Sequence, residues 1–351
     1  MATTYAIPDG RVAMATTTYT GTGASLAVAN TVNGVNFQPD FVWVKGRSGA
    51  TDHALYDSVR GTTKDLVSNA TSAETTQATG LTAFGSTGFT VGALAKMNTS
   101  AATYVGWQWK AGGTAVSNTA GSITSSVSAN TAAGFSVVTW AGNSTNAATI
   151  GHGLGVAPSI LITKSRTNLS SWIVGIGGMS GFGVNDYLVL QTTNAKATSS
   201  TFYQAYGANT FTTGVSSADE MNKTGNNYVT YCFAPIAGYS AMGSYVGNSS
   251  TDGPFIYTGF RPRFILVKNS GWTNVSSAWL LIDTARNPSN VSQYTLSAQV
   301  SDAEFSGSNQ YVDILSNGFK LRNATGAWND SAYTYIYMAF AENPFKYANA
   351  R

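Results

Sequence analysis

Hydrophobic and polar positions along the chain fall into one phrase that comes back three times. Phe41-Val-Trp-Val-Lys45 follows Pro39-Asp40, and Pro158-Ser-Ile-Leu-Ile-Thr-Lys164 and Pro262-Arg-Phe-Ile-Leu-Val-Lys268 repeat it: a proline, a short run of apolar β-formers, a lysine. A second phrase recurs in step with the first: Tyr104-Val-Gly-Trp-Gln-Trp109, Tyr228-Val-Thr-Tyr-Cys-Phe233 and Tyr335-Ile-Tyr-Met-Ala-Phe340. Two landmarks recurring together at similar spacing mean three tandem copies of one unit. Phe41–Val44 is apolar at every position, which predicts a strand covered on both faces. The tyrosine-led runs alternate. Val105, Trp107 and Trp109, then Val229, Tyr231 and Phe233, then Ile336, Met338 and Phe340 each mark a core face. Pro344 is expected to end the last strand, because proline cannot donate to a ladder.

Shorter strand patterns lie between these landmarks: Leu55–Val59, Gly88–Val91, Phe135–Trp140, Trp172–Val174, Tyr187–Leu190, Tyr245–Asn248, Trp279–Asp283 and Gly318–Arg322. Gly and Asn turns separate them, Gly142-Asn143 among them. The pattern predicts an all-β chain of three tandem antiparallel β-sandwich, jelly-roll-like modules at 19–112, 134–240 and 241–351. Residues 1–18, with the Ile7-Pro-Asp-Gly10 turn signal, read as an N-terminal arm, frayed or anchoring. Residues 113–133 are rich in Gly, Ser, Thr, Ala and Asn and read as a linker, with Ile123–Val127 as a candidate edge strand.

Composition narrows the function. Three copies in 351 residues leave each large enough for its own core. Charged residues are 10%, against 18 Tyr, 16 Phe and 37 Gly, which argues against disorder and long helices. A net charge of +3 with scattered basic residues provides no nucleic-acid face. A single Cys excludes an intrachain disulfide and suits synthesis in a reducing cytoplasm. The Met-Ala-Thr-Thr-Tyr start shows no signal peptide, and no apolar run reaches the roughly 20 residues of a membrane span.

Candidate chemistry is sparse. Asp57-x-x-Arg60 with Glu74 matches Asp283-x-x-Arg286 with Glu304, and the second copy has no counterpart. Paired carboxylates near an arginine suit acid/base chemistry, but structural ion pairs are the simpler reading in a chain this poor in charge. Lys45, Lys164 and Lys268 end equivalent strands and read as candidate surface contacts where the chain meets water. Arg47, Arg166 and Ser270 follow two residues later. His53 and His152 lie in different modules, so no metal cluster and no cofactor is implied. His152, in Gly151-His-Gly-Leu-Gly155, reads as a turn residue. That run lacks the strand-loop-helix context of a phosphate loop. Cys232 reads as a small buried residue rather than a nucleophile. Asn248-Ser-Ser-Thr-Asp-Gly253 has calcium-ligand types but one carboxylate, and reads as a turn. Tyr104, Tyr228, Tyr335 and Tyr337 suit either sugar stacking or a sheet interface.

The phrases Asn36–Lys45, Gly61–Leu66, Tyr104–Gly112, Asp252–Phe255, Gly259–Arg263, Leu315–Arg322 and Tyr335–Phe345 resemble a repeat family of bacteriophage virion proteins, found in phages of aquatic bacteria including cyanophages. The resemblance spans essentially the whole chain. It implies a non-enzymatic particle component, made in the host cytoplasm and resident on the virion, with other virion proteins as partners. A tail fibre or appendage touching host surface glycans is the first expectation, with homotrimerisation if it is a fibre. The alternative is a capsid decoration protein in which three modules form a pseudo-threefold ring. A glycan-cleaving enzyme using Asp57/Glu74 or Asp283/Glu304 is the third reading. The resemblance carries no catalytic residue onto this chain.

Overall fold

In the computed structural model, residues 6–7, 9–31, 34–273 and 277–342 are described. Within them the chain is nearly all β, organised as several antiparallel sheets. The helical content is one four-residue α-helix, Ala95–Asn98, and two short 3-10 turns.

One strand order recurs three times. In the first, Met14–Thr20 pairs with Thr103–Trp109, which pairs with Phe41–Gly46, then Ala54–Asp57. In the second, Phe135–Ala141, Asn227–Phe233, Ile160–Ser165 and Ile173–Gly175 follow in the same order. In the third the strands are Ser240–Val246, Thr334–Ala341, Pro262–Asn269 and Trp279–Asp283. These are called opening, closing, lysine and docking strands below. The closing and lysine strands are therefore interior to every sheet, which is why their sequence phrases are the longest apolar ones. Beside each sheet lies a smaller three-stranded one. These are Leu26–Ala29 with Gly88–Val91 and Leu81–Gly85; Ala148–Gly151 with Thr210–Thr213 and Tyr203–Tyr206; and Phe255–Tyr257 with Gly318–Leu321 and Val312–Leu315.

Both faces of the large sheets are buried, but against different things. Facing the small sheets, Val42, Val44 and Tyr104 pack with Val28, Leu81, Phe89 and Val91. Gly106 lets that sheet come close, since a Cβ there would sit 3.0 Å from the Phe89 ring. The opposite faces of all three large sheets meet in one shared cluster that holds Trp43, Trp107 and Trp109, Ile162, Tyr231 and Phe233, and Leu266, Met338 and Phe340. Trp109, Phe233 and Phe340 occupy the same position of the three closing strands. Their ring centroids form a triangle with sides of 6.3, 5.7 and 6.0 Å.

Three sequence expectations change at the boundaries. The opening strand of the first repeat starts at Met14, inside the expected 1–18 arm, and Ala13, Met14 and Ala15 are buried. Pairing of Met14 with Trp109 fixes this stretch, although its Thr-rich composition looks loop-like. The expected 113–133 linker also pairs. Val116–Asn118 and Ser125–Asn130 extend the second large sheet, and Ile123 and Val127 enter a core cluster. The third opening strand runs Ser240–Val246 rather than Tyr245–Asn248. Pro344 lies outside the described residues.

Candidate functional site: the seams between repeats

The predicted charged residues are brought to the places where one repeat meets the next. Arg60 Nε lies 2.5 Å from Asp57 Oδ2, and Arg60 Nη1 lies 3.0 Å from Glu74. Arg60 Nη1 also donates to the Lys64 carbonyl and Nη2 to the Leu55 carbonyl, so the guanidinium is fully engaged. The second repeat closes the cluster: Tyr231 Oη donates to Asp57 at 2.8 Å, and Arg166 grips Glu74 with Nε and Nη2, each at 2.9 Å. The third repeat builds the same device toward the first. Arg286 holds Asp283 at 2.6 Å and Glu304 at 3.0 Å, Trp107 Nε1 donates to Asp283 at 3.0 Å, and Arg47 grips Glu304. The Arg286 guanidinium also sits 5.6 Å from the Trp107 ring centre.

The backbone repeats this order at all three seams. Glu74 N donates to Arg166 O at 2.9 Å, Lys196 N to Ser270 O at 2.7 Å, and Glu304 N to Arg47 O at 2.9 Å. The residue just before or at the start of each docking strand reaches the preceding repeat. Trp172 Nε1 donates to Val67 O at 2.8 Å and Trp279 Nε1 to Val189 O at 3.0 Å. His53 stands in the same place in the first repeat, its Nε2 3.0 Å from Ser297 O. Its Nδ1 accepts from Trp43 Nε1 at 2.8 Å, which fixes the Nε2–H tautomer. Burial, with the Lys45 charge nearby, pushes the His53 pKa down to about 3, so it serves as a neutral hydrogen-bonding ring.

The seam from the second repeat to the third is apolar where the others are ionic. Ile176, Met179 and Met338 take the places of Asp57, Arg60 and Tyr231 and are buried in the shared cluster. Lys196, in the place of Glu74, turns instead to Asp186 of its own repeat at 2.8 Å. Facing it is Ser270, where the other repeats carry Arg47 and Arg166. Each seam is thus matched on both sides, as buried charge requires.

Glu74 feels two opposing effects. Burial raises its pKa, but the Arg166 hydrogen bonds and the Arg60 charge outweigh that and hold it below the ordinary value. Burial opposes charge on Arg60 too, yet Asp57, Tyr231 and Glu74 leave its pKa well above the ordinary arginine value.

The strand-end lysines are not surface contacts. Lys45, Lys164 and Lys268 are fully buried, because the strands that carry them are covered to their ends. Each Nζ donates to the carbonyl of the next residue: Gly46 at 2.8 Å, Ser165 at 2.7 Å, Asn269 at 2.5 Å. Burial lowers their pKa values from 10.5 to about 8 for Lys45 and about 7 for Lys164 and Lys268. Asp302 and Asp52 act against burial at Lys45, and Glu220 at Lys164. Between pH 7 and about 9 the unfolded chain keeps lysine protons that the folded chain has released, so stability rises with pH across this window. Nearer pH 10 Cys232 and Tyr239, whose pKa values burial raises, act the other way. Urea midpoints measured from pH 7 to 9 are expected to climb, and Lys268→Met should flatten the slope. A flat or falling profile in the unmutated protein would contradict this assignment.

The remaining candidates settle into structural roles. His152 lies outside the strands, just after Ala148–Gly151, and is buried. Its Nε2 lies 3.0 Å from Gly207 O, and burial lowers its pKa. Cys232 is buried, and burial pushes its thiol up to about 12. Tyr104, Tyr228, Tyr335 and Tyr337 are buried as well. Asp252 pairs with Lys320 at 2.9 Å, and Asn248 bonds Asn329 across the turn. Among the described residues no group of three or more His, Cys, Asp and Glu could hold a metal ion, and no helix is long and apolar enough to cross a membrane.

Tyr231, Trp107, Lys196 and the Trp172/Trp279/His53 set escaped the sequence reading. A signal for them existed: the second repeat lacks Asp-x-x-Arg, and the third lacks the arginine two residues after the lysine. That one-repeat offset is what head-to-tail contact demands.

Fold and seams define an all-β protein whose buried charges are used to lock its repeats together. The chain belongs to the family described as a domain of unknown function (DUF7483), whose model matches residues 12–344. The match starts two residues before the Met14 strand and runs past the last closing strand, so the family unit contains all three repeats. No curated protein and no solved structure matches the chain.

Proposed function

We propose that the chain is a non-enzymatic structural component of a bacteriophage virion, in which three β-sandwich modules close into a pseudo-threefold ring that caps a threefold position on the head. The observation that carries this reading is the cyclic order of the seams. The first repeat reaches the second, the second the third, and the third the first, through the same backbone bond each time. A heterologous contact that closes after three steps makes a ring. The Trp109–Phe233–Phe340 triangle marks its axis. A ring supports the decoration role over a tail fibre, since a fibre calls for an elongated rod or a trimer of chains, and this chain already encloses its own threefold. The enzyme reading loses support from the same contacts: Asp57 and Asp283 are fully buried and, like Glu74 and Glu304, hydrogen-bonded to arginines or aromatic donors.

The test is immunogold electron microscopy of intact particles with an antibody to the folded protein. Label over the head is expected, together with earlier heat-induced genome release from particles assembled without the protein. Label confined to the tail would return the fibre reading, and no label on any particle would overturn the virion role.

A further inference from the structure

The three repeats differ at one exposed place on their small sheets. The edge strand of the third small sheet carries Phe255 and Tyr257, 43% and 67% exposed, on either side of the buried Ile256. The matching strand of the first repeat presents Ala27 and Ala29 around Val28, and that of the second has half-buried Thr149 and buried Gly151 around Ile150. Val28, Ile256 and Ile150 each pair across the ladder with a phenylalanine, Phe89, Phe319 or Phe211. The inner residue is therefore fixed by the fold and the outer two are not. Two sister sheets form without aromatics there, so packing does not explain the pair.

The surroundings indicate what the pair suits. Residues i and i+2 of a strand present their side chains on one face about 6.5–7 Å apart. Paired ladder residues share that face: Phe255 with Lys320, Lys320 with Asp313, Tyr257 with Gly318. Arg322 bonds Asp313 at 2.9 Å, and Lys320 bonds Asp252, whose side chain is 81% exposed. Two cations and two anions leave no net charge beside the rings. A Cβ at Gly318 would lie 2.0 Å from the Ile256 carbonyl oxygen and 3.0 Å from the Phe255 ring, so glycine there lets that ring lie close against the sheet. The result is an open face with two ring surfaces, many hydrogen-bonding groups and no net charge. In the second repeat, Ser122 and Ile123 lie over the corresponding strand.

We infer that the Phe255/Tyr257 face of the third repeat binds a neutral polysaccharide, its pyranose rings stacked on the two aromatics and its hydroxyls bonded by Asp252, Lys320, Asp313 and Arg322. A charge-balanced face has no electrostatic reason to select an ionic polymer, whereas hydroxyl groups use donors and acceptors alike. Exposed aromatic faces also recognise ligands through ring contact without needing a deep cavity. This inference does not depend on where on a particle the protein sits.

The test uses the full chain in native affinity gels containing dextran, amylose, galactomannan or a β-glucan. Retardation is expected in at least one gel, and Phe255→Ala/Tyr257→Ala should weaken it tenfold or more. Both side chains are exposed, so the double variant should keep its melting temperature. Leu169→Ser, at another exposed apolar position, should leave retardation unchanged. No retardation in any of the four gels, or retardation equal in the double variant, would overturn the inference. So would a concentration-dependent dimer that the double variant abolishes, because the edge would then be a protein contact.

Discussion

Asp57→Ile will destabilise the protein by about 3–5 kcal/mol, the cost of stripping one partner from a buried ion pair. The change leaves the Arg60 guanidinium buried, with Glu74 the nearest remaining carboxylate. The informative comparison is Asp57→Ile/Arg60→Met/Tyr231→Met, which installs the residues that the second-to-third seam already uses at Ile176, Met179 and Met338. Removing both charges and filling the space with apolar groups is often neutral or stabilising. The triple variant is therefore expected within about 2 kcal/mol of the unmutated protein, although the Leu55 and Lys64 carbonyls lose the Arg60 donor. Urea unfolding of the unmutated protein, the three single variants and the triple variant measures this coupling. A triple variant that falls by the sum of the single losses would show that the seams are not interchangeable.

Trp109→Ala is expected to cost about 3–5 kcal/mol, the range for truncating a large buried aromatic. The ring touches Phe41, Phe233, Phe264 and Phe340, drawn from all three repeats. The cavity would therefore open where the three large sheets meet and loosen every seam together. Amide hydrogen exchange distinguishes this from a local defect. Protection should fall in parallel at the amides of Glu74, Lys196 and Glu304, each of which crosses a different seam. Leu161→Ala, in the second repeat's own cluster, should spare the amide of Glu304, which belongs to the seam between the third repeat and the first. Loss of protection confined to the first repeat after Trp109→Ala would deny the three repeats a shared core.

Side-chain periodicity and recurrence carried much of this structure. The recurring proline-led apolar phrase identified the lysine strands, and a two-residue period identified the closing strands and their core face. Recurrence in step identified three copies, and the Asp-x-x-Arg-with-Glu spacing picked out both ion clusters. These are local properties: a strand's pleat sets which residues share a face whatever lies beyond it. The sequence could not decide what each face meets. Lys45, Lys164 and Lys268 look like strand ends entering water, and they are buried because the strands that carry them are covered to their ends. The Thr-rich stretch from Met14 and the Ser/Thr-rich stretch from Val116 look like an arm and a linker, and they are strands because a partner strand was waiting. His53 and Tyr231 acquire meaning only across a seam. The order of contacts between the repeats is a long-range property, set by which buried charges find their complements once all three repeats are in place.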